Sequence, residues 1–398
     1  MTNGLATMRG VQHRLLAEPA GAPLPELDRT QLIGLLREAG LTGRGGAGFP
    51  TWRKLEAVTV APGGPVVVAN GAEGEPASGK DGLLLAYHPD LVLDGLQLVA
   101  RALGARSTHL YLPAAAAGPI RAVLDARRRA GRDPIAAVNP TIAPDAFIAG
   151  EESAVVAALS GRPAVPADKR VRVTRAGLGG APTLVQNVET LAQIALIGRR
   201  GPGWFRSAGT AEEPGTFLAT VSGAVAQPGV VEAGYGVPLG ELIDAAGGAT
   251  APLQAVLIGG FHGGWVPARP DLPVSRAALA HYGTSPGAGI VIALPQGACG
   301  LIESARIASY LAGQVSGQCG PCINGLPRLA DTLTDLAYRR AKPGLPAEVK
   351  RLTALVTGRG ACRHPDGTAR MIRSSLMTFD ADVVAHLHGH CTQEAVRR

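Results

Sequence analysis

Three glycine- and acid-rich stretches and one cysteine pair carry the residue types in this chain that can do chemistry. The first is Gly43-Arg44-Gly45-Gly46-Ala47-Gly48, followed by Pro50 and Lys54. Bare backbone N–H groups of such a loop can approach a phosphate, and a helix starting at Pro50 would aim more of them at it. Arg44 and Lys54 add cationic charge for the same anion. The loop matches G-x-G-x-x-G, yet a capped helix is expected before it, where a dinucleotide fingerprint requires a strand. An irregular surface loop is the plain alternative.

The second stretch, Asn70-Gly71-Ala72-Glu73-Gly74-Glu75-Pro76, leaves the end of an apolar run, Val66–Ala69. Ligands of α/β sheets gather at the carboxyl ends of strands. Asn70 offers both a donor and an acceptor, as a flavin or nicotinamide ring edge demands. A solvated acidic turn is the alternative. The third, Gly150-Glu151-Glu152-Ser153, pairs two carboxylates. Sequence neighbours rarely face one substrate from two sides, so binding of ribose hydroxyls suits them better than a glycosidase-like pair.

The cysteine pair is Cys319-Gly320-Pro321-Cys322, with Cys362 forty residues later (362 − 322 = 40). C-x-x-C lets two thiolates reach one metal or cluster from a single bend. A structural zinc held by Cys319, Cys322, Cys362 and His364 is a rival reading, as are buried thiols with no metal. Cys299 and Cys391 have no partner at ligand spacing and read as packing or surface thiols. The run His386–Cys391 stays unassigned.

The elements that must position these residues alternate at first. Asp28 can cap a helix with Gln31 completing the box, Leu32, Ile33, Leu35 and Leu36 give it an apolar face, and Gly40 ends it. A second helix start falls at Pro50. The strand Val66–Ala69, helix Leu91–Leu103, strand Thr108–Leu112 and helix Pro119–Ala130 follow. This predicts an α/β layer fold over residues 1–200. Strands over Thr216–Val225, Gly229–Glu232 and Leu253–Ile258, with a helix at Leu239–Ala246, predict a small α+β module of β-grasp type within 201–290. Residues 291–398 read as a helical bundle, with helices over Leu301–Ala312, Leu326–Tyr338, Ala347–Val356, Thr368–Met377 and Asp380–His386.

Composition narrows the function. The 398 residues carry a net charge of +7, which suits an anionic cofactor or an acidic partner. Aromatics are only 4%, so base-stacking platforms for single-stranded nucleic acid are scarce and no nucleic-acid role is expected. Five cysteines do not make a disulfide scaffold. No signal peptide or run of about eighteen apolar residues is visible, so no direct membrane insertion and a cytoplasmic location, peripheral to a membrane complex at most, are expected.

Taken in order, GRGGAGFP, NGAEGEP, GEES and GLGGAPTLVQNVETLA closely resemble the NADH-oxidising flavoprotein subunit of respiratory complex I. Related subunits occur in bidirectional hydrogenases and NAD-linked formate dehydrogenases. The resemblance covers about residue 40 to about residue 386. It implies an FMN-binding α/β domain, a soluble-ligand-binding β-grasp module and a helical domain carrying an iron–sulfur cluster, [4Fe–4S] or [3Fe–4S]. Carried over by position, FMN would lie against Gly43, Arg44, Gly45, Gly46, Lys54, Asn70, Gly150, Glu151, Val185, Gln186, Asn187 and Thr190. NAD(H) would meet Phe49, Glu75, Glu152 and Lys169. The cluster would sit on Cys319, Cys322, Cys362 and, at the family's first cysteine position, Ser316.

The implied activity passes electrons from the dinucleotide through FMN and the cluster to a partner, a ferredoxin-like protein or other complex I-like subunits. Four departures accompany it. Ala72 replaces an aspartate, Ala57 and Arg172 replace two aromatics that sandwich the adenine, and Ala149 replaces a cysteine. Ala57, Ala72, Arg172 and Ser316 favour a second reading, a flavin-binding assembly subunit without hydride transfer.

Overall fold

The computed structural model describes residues 14–19, 22–133, 137–168, 171–340, 342 and 344–395. They divide into two compact units, residues 1–219 with 230–237, and residues 220–229 with 238–398.

The first unit opens with α1 (Arg29–Ala39), where Asp28 and Gln31 form the expected capping box and Gly40 closes the helix at φ 73°. After the glycine loop come α2 (Thr51–Glu56), β1 (Val66–Asn70), α3 (Lys80–Tyr87), α4 (Pro89–Leu103), β2 (Ser107–Pro113), α5 (Ala117–Arg129), β3 (Val138–Ala143), α6 (Glu152–Leu159), β4 (Thr183–Asn187) and α7 (Val188–Arg206). The four strands form one parallel sheet in the order β3-β2-β1-β4. An unbroken apolar run such as Val66–Ala69 suits a strand covered on both faces. Val67, Ala69 and Leu184 join the core of α1, α4, α5 and α7, while Val66, Val68, Tyr111 and Val185 pack with Val155 and Val156 of α6 on the other face.

Sequence patterning does not show α3, β3, α6, β4 or α7 as elements. β4 runs into α7 with no glycine or proline between them, and Asn187 makes the junction by accepting the N–H of Glu189 as helix cap. Gly201 (φ 82°) and Pro202 then bend α7 near its end.

A second sheet starts with β5 (Thr216–Gly223), which passes from the first unit into the second and runs parallel to β9 (Ile290–Pro295); β9 pairs antiparallel with β7 (Leu253–Ile258), itself antiparallel to β8 (Gly264–Pro267). β6 (Gly229–Gly234) lies beside β5 at the edge of this sheet. The strand expected to reach Val225 stops at Gly223, whose φ of 85° turns the chain. α8 (Leu239–Ala245) and α9 (Arg276–Ala280) complete the module. The helices α10 (Gly300–Gly313), α11 (Leu326–Ala337), α12 (Leu345–Val356), α13 (His364–Thr378) and α14 (Asp380–Leu387) follow as the sequence predicts. Among the described residues no single helix is long and apolar enough to cross a membrane. The bent pair α3 and α4 is apolar because its side chains fill the core of the first unit.

Candidate functional site

In the order β3-β2-β1-β4, β2 and β3 build outward on one side of β1 and β4 joins on the other. A crevice therefore opens at the carboxyl ends of β1 and β4, the position where sheets of this type bind ligands. Asn70 and Asn187 stand there side by side, in register. The glycine loop lies on the same strand end, since a Cβ on Gly45 would come within 3.4 Å of the Asn187 Cβ.

Gly43 N–H donates to the Phe49 carbonyl (2.9 Å), closing the loop, and Arg44 N–H donates to the Thr190 hydroxyl (2.9 Å), fastening it to α7. Gly46 and Gly48 turn it at φ 103° and 60°. Arg44–Ala47 form a turn, and among the described residues the N–H groups of Gly45, Gly46, Ala47 and Gly48 make no well-aligned bond to a backbone carbonyl. Beside them, Lys54 Nζ donates to the Val185 carbonyl (2.6 Å) and pairs with Glu152 (2.9 Å).

The two acidic loops are packed together. Asn70 Nδ2 donates to the Gly150 carbonyl (2.9 Å), and its Oδ1 accepts the Ala72 N–H (3.2 Å). Gly74 permits this approach, because a Cβ there would fall 2.5 Å from the Ala146 carbonyl oxygen. Glu151 caps α6 by accepting the N–H groups of Ser153 (2.8 Å) and Ala154 (3.3 Å). Gln186 Nε2 is buried and has no protein acceptor among the described residues. The open loop N–H groups, Lys54 and this orphaned amide are the donors that the phosphate and hydroxylated chain of FMN require, so the residues fit that group.

Of the residues expected at the dinucleotide, Phe49 is half exposed at the foot of the glycine loop, Glu152 meets Lys54, and Glu75 lies in the loop after β1. Lys169 lies outside the described residues. Thr59 N–H donates to the Thr174 carbonyl (3.0 Å), which ties the segment after Ala57 to the one after Arg172. The two positions expected to hold the adenine are thus on joined segments.

Arg44 requires a correction. Its guanidinium is 2% exposed, donates to the carbonyls of Thr42 and Thr216 (both 3.0 Å), and lies over the Tyr235 ring. Glu189 is 3.9 Å away and balances the charge. The side chain is a buried strut beneath the loop rather than a phosphate ligand.

Sequence reasoning missed an ion cluster behind the crevice. Lys80 is buried and pairs with Asp81 (2.7 Å) and Glu189 (3.0 Å), while Asn187 Nδ2 donates to Asp81 (2.7 Å). Glu73 accepts the N–H groups of Asp81 (3.1 Å) and Gly82 (2.9 Å). Burial opposes the Lys80 charge, but Asp81 and Glu189 outweigh it and raise the ammonium above its usual range. Burial, with Glu73 and Glu189 adding, pushes Asp81 up to about 6 although Lys80 pulls it down. Desolvation beside further carboxylates outweighs the single cation, so Asp81 takes up a proton at a higher pH than an ordinary aspartate does.

In the second unit the expected cluster residues converge. Cys319 and Cys322 sulfurs lie 3.8 Å apart, with the Ser316 hydroxyl hydrogen-bonded to Cys322 and Cys362 near enough to interact. Gly325 allows it: a Cβ there would lie 2.5 Å from Val356 Cγ1, so the turn after Cys322 sits against the end of α12, just before the Cys362 segment. Burial, with Cys319 and Cys362 adding, pushes the Cys322 thiol up to about 11, and a cationic iron centre would reverse that. Three soft thiols and one serine oxygen fit an iron–sulfur centre. The zinc set with His364 is corrected. Its Nε2 meets the Leu311 carbonyl (2.9 Å) and its Nδ1 meets His262 Nε2 (3.0 Å), so neither ring nitrogen is left for a metal.

Comparison with known proteins defines the class. The family model described as the Nuo51 FMN-binding domain matches residues 36–196. The SLBB domain matches 218–263, and the NADH-ubiquinone oxidoreductase-F iron–sulfur binding region matches 303–386. An NADH-quinone oxidoreductase F subunit of Rhizobium meliloti is 30% identical over 394 residues, covering 95% of this chain and 93% of that one. The F subunit of the same enzyme from Streptomyces coelicolor is 30% identical, covering 90% and 83%. A crystal structure of an NAD+-reducing [NiFe]-hydrogenase in the H2-reduced state superposes with a TM-score of 0.84 at 30% identity; the match covers 91% of this chain and 64% of the hydrogenase chain. The chain belongs to the family of NADH-quinone oxidoreductase F subunits, a family of oxidoreductases built on an FMN domain, an SLBB module and an iron–sulfur region.

Proposed function

We propose that this chain takes electrons from a nicotinamide dinucleotide and delivers them to a protein partner within a redox complex. Residues 1–200 hold FMN and the dinucleotide, 201–290 form the β-grasp module and 291–398 carry the cluster. Bound FMN would supply the chemistry the side chains alone lack, two-electron uptake of a hydride and one-electron release.

The chain's own residues bind and orient. Gly43, Gly45 and Gly46 offer backbone at the phosphate, with Lys54 as its cation and Gln186 as a donor to the polar chain. Asn70, Gly150, Glu151, Val185, Asn187 and Thr190 fix the walls around the ring. Phe49, Glu75, Glu152 and Lys169 receive the dinucleotide, Glu152 through ribose hydroxyls. Cys319, Cys322, Cys362 and Ser316 hold the cluster. The partner is a ferredoxin-like protein or complex I-like subunits, and the location is cytoplasmic, at most peripheral to a membrane.

The observation that carries this reading is the meeting of four separate segments at the β1/β4 crevice, with the buried Gln186 amide left without an acceptor. Anaerobic stopped-flow reduction of the FMN-loaded protein by NADH and by NADPH tests it. Reduction by either is expected, with NADH binding weakened because Ala57 and Arg172 replace stacking aromatics. Arg172 can pair with a 2′-phosphate, which would relax the choice between the two dinucleotides. A flavin that binds but is reduced by neither would establish the second reading, an assembly subunit, which Ala57, Ala72, Arg172 and Ser316 favour.

A further inference from the structure

Sequence spacing gives Cys299 and Cys391 no partner, yet the fold brings both to His386. Cys299 stands at the N-terminus of α10, His386 lies in the last turn of α14, and Cys391 follows that helix. All three are at most 9% exposed. One sulfur or nitrogen from each lies within 4.8 Å of the other two. Cys299 Sγ and His386 Nε2 are 3.5 Å apart. Zinc bonds of about 2.3 Å to sulfur and about 2.05 Å to nitrogen put those two atoms about 3.6 Å apart in a tetrahedral site.

The surroundings are those of a ligand set. His386 Nδ1 meets the Leu336 carbonyl at 3.1 Å, which holds the proton on Nδ1 and leaves the Nε2 lone pair facing the sulfurs. The N–H groups of Leu301 and Ile302 bond to Cys299 Sγ and fix its position. Asp382 is buried, is fixed by the Thr392 N–H (3.1 Å) and hydroxyl (2.6 Å), and lies 3.6 Å from Cys391 Sγ. It can move in as a fourth donor. His388 and His390 are exposed and stand outside the group.

We infer that Cys299, His386 and Cys391 form a second metal site, separate from the iron–sulfur residues, that binds one zinc ion and clamps the segment after α14 to the start of α10. Water or Asp382 supplies the fourth ligand. Two thiols lose their protons to solvent as the ion binds, so two thiolates balance the divalent charge with a neutral imidazole. Borderline-soft nitrogen and sulfur donors in a closed, buried site suit zinc over magnesium or calcium.

The test is metal analysis of the full chain, purified anaerobically with its FMN and iron and then given one equivalent of zinc. One zinc per chain is expected. Cys391→Ala should abolish it and His386→Gln should weaken it at least tenfold, with iron and FMN contents unchanged in both. Cys319→Ala should leave the zinc in place. Should a variant fold poorly, cobalt loaded into the unmodified chain should give thiolate-to-metal charge-transfer absorption that one equivalent of zinc displaces. No zinc and no cobalt band in the unmodified chain overturns the site. So does zinc that disappears only with Cys319→Ala, or peptide mapping that finds Cys299 joined to Cys391 by a disulfide.

Discussion

The β1/β4 crevice and the Cys319 loop are built from opposite materials. The crevice presents mainly backbone, with N–H groups of a glycine loop and carboxyl ends of strands steadied from behind by Lys80, Asp81 and Glu189. The cysteine loop presents only side chains, and its backbone merely brings the sulfurs together. A backbone site tolerates loss of any one side chain at its mouth but depends on the buried network that shapes it. A side-chain site fails when a single ligand is removed.

Cys322→Ala should therefore have the largest effect. Iron content should fall close to zero and electron delivery to any protein acceptor with it, while FMN content stays near one per chain. Iron analysis with electron paramagnetic resonance checks this, and retained iron would end the contrast. Next is Lys80→Met, which leaves buried carboxylates without their cation. Removing one partner of a buried pair costs about 3–5 kcal/mol, read as lost stability of the FMN unit in denaturant unfolding, with the iron centre intact.

Those two outcomes bear on what a sequence can reveal. The three glycine- and acid-rich loops, the Asp28 capping box and the C-x-x-C bend were legible because each is a local pattern with a local physical cause, whereas the β4–α7 junction entered only through the resemblance. The Lys80 cluster was not. Lys80 and Asp81 fall in no motif of the sequence, and the packing of α3 against α7 buries them. Arg44 misled for the same reason, since a cation in a phosphate-type loop looks ligand-facing until Thr216 and Tyr235 are seen to claim it. Cys299, His386 and Cys391 meet only because α10 and α14 pack in one bundle, and no spacing rule links residues 87 positions apart.

Asp81 gives a pH signature to the crevice alone. Its folded value of about 6 lies above the ordinary 3.8, so the stability it contributes is present below 3.8 and is lost as pH rises through 6. Two pH units correspond to about 3 kcal/mol. The gap in stability between the parent and Asp81→Asn, measured by thermal unfolding across pH 4–7, should shift in favour of the variant as pH rises. A constant gap would show that Asp81 stays ionised. The smaller expected effect on the same site is Lys54→Ala. Losing a charge-assisted hydrogen bond of roughly 1.5–3 kcal/mol should weaken FMN about tenfold or more. Equilibrium dialysis decides it, and unchanged affinity would move the phosphate elsewhere.

The pairing of Lys54 with Glu152 has a consequence for the order in which ligands arrive. Both side chains are about a quarter to a third exposed, so an anion arriving from solvent can reach the pair. Under the proposed function, a phosphate at Lys54 would exchange with Glu152, one anion replacing another on the same ammonium. The displaced carboxylate would then be free to accept hydrogen bonds from the hydroxyls of a sugar. Flavin-loaded protein is therefore expected to bind the dinucleotide more tightly than flavin-free protein. Glu152→Gln should shrink that difference by a few-fold in titration calorimetry, and an undiminished difference would place the coupling in other residues.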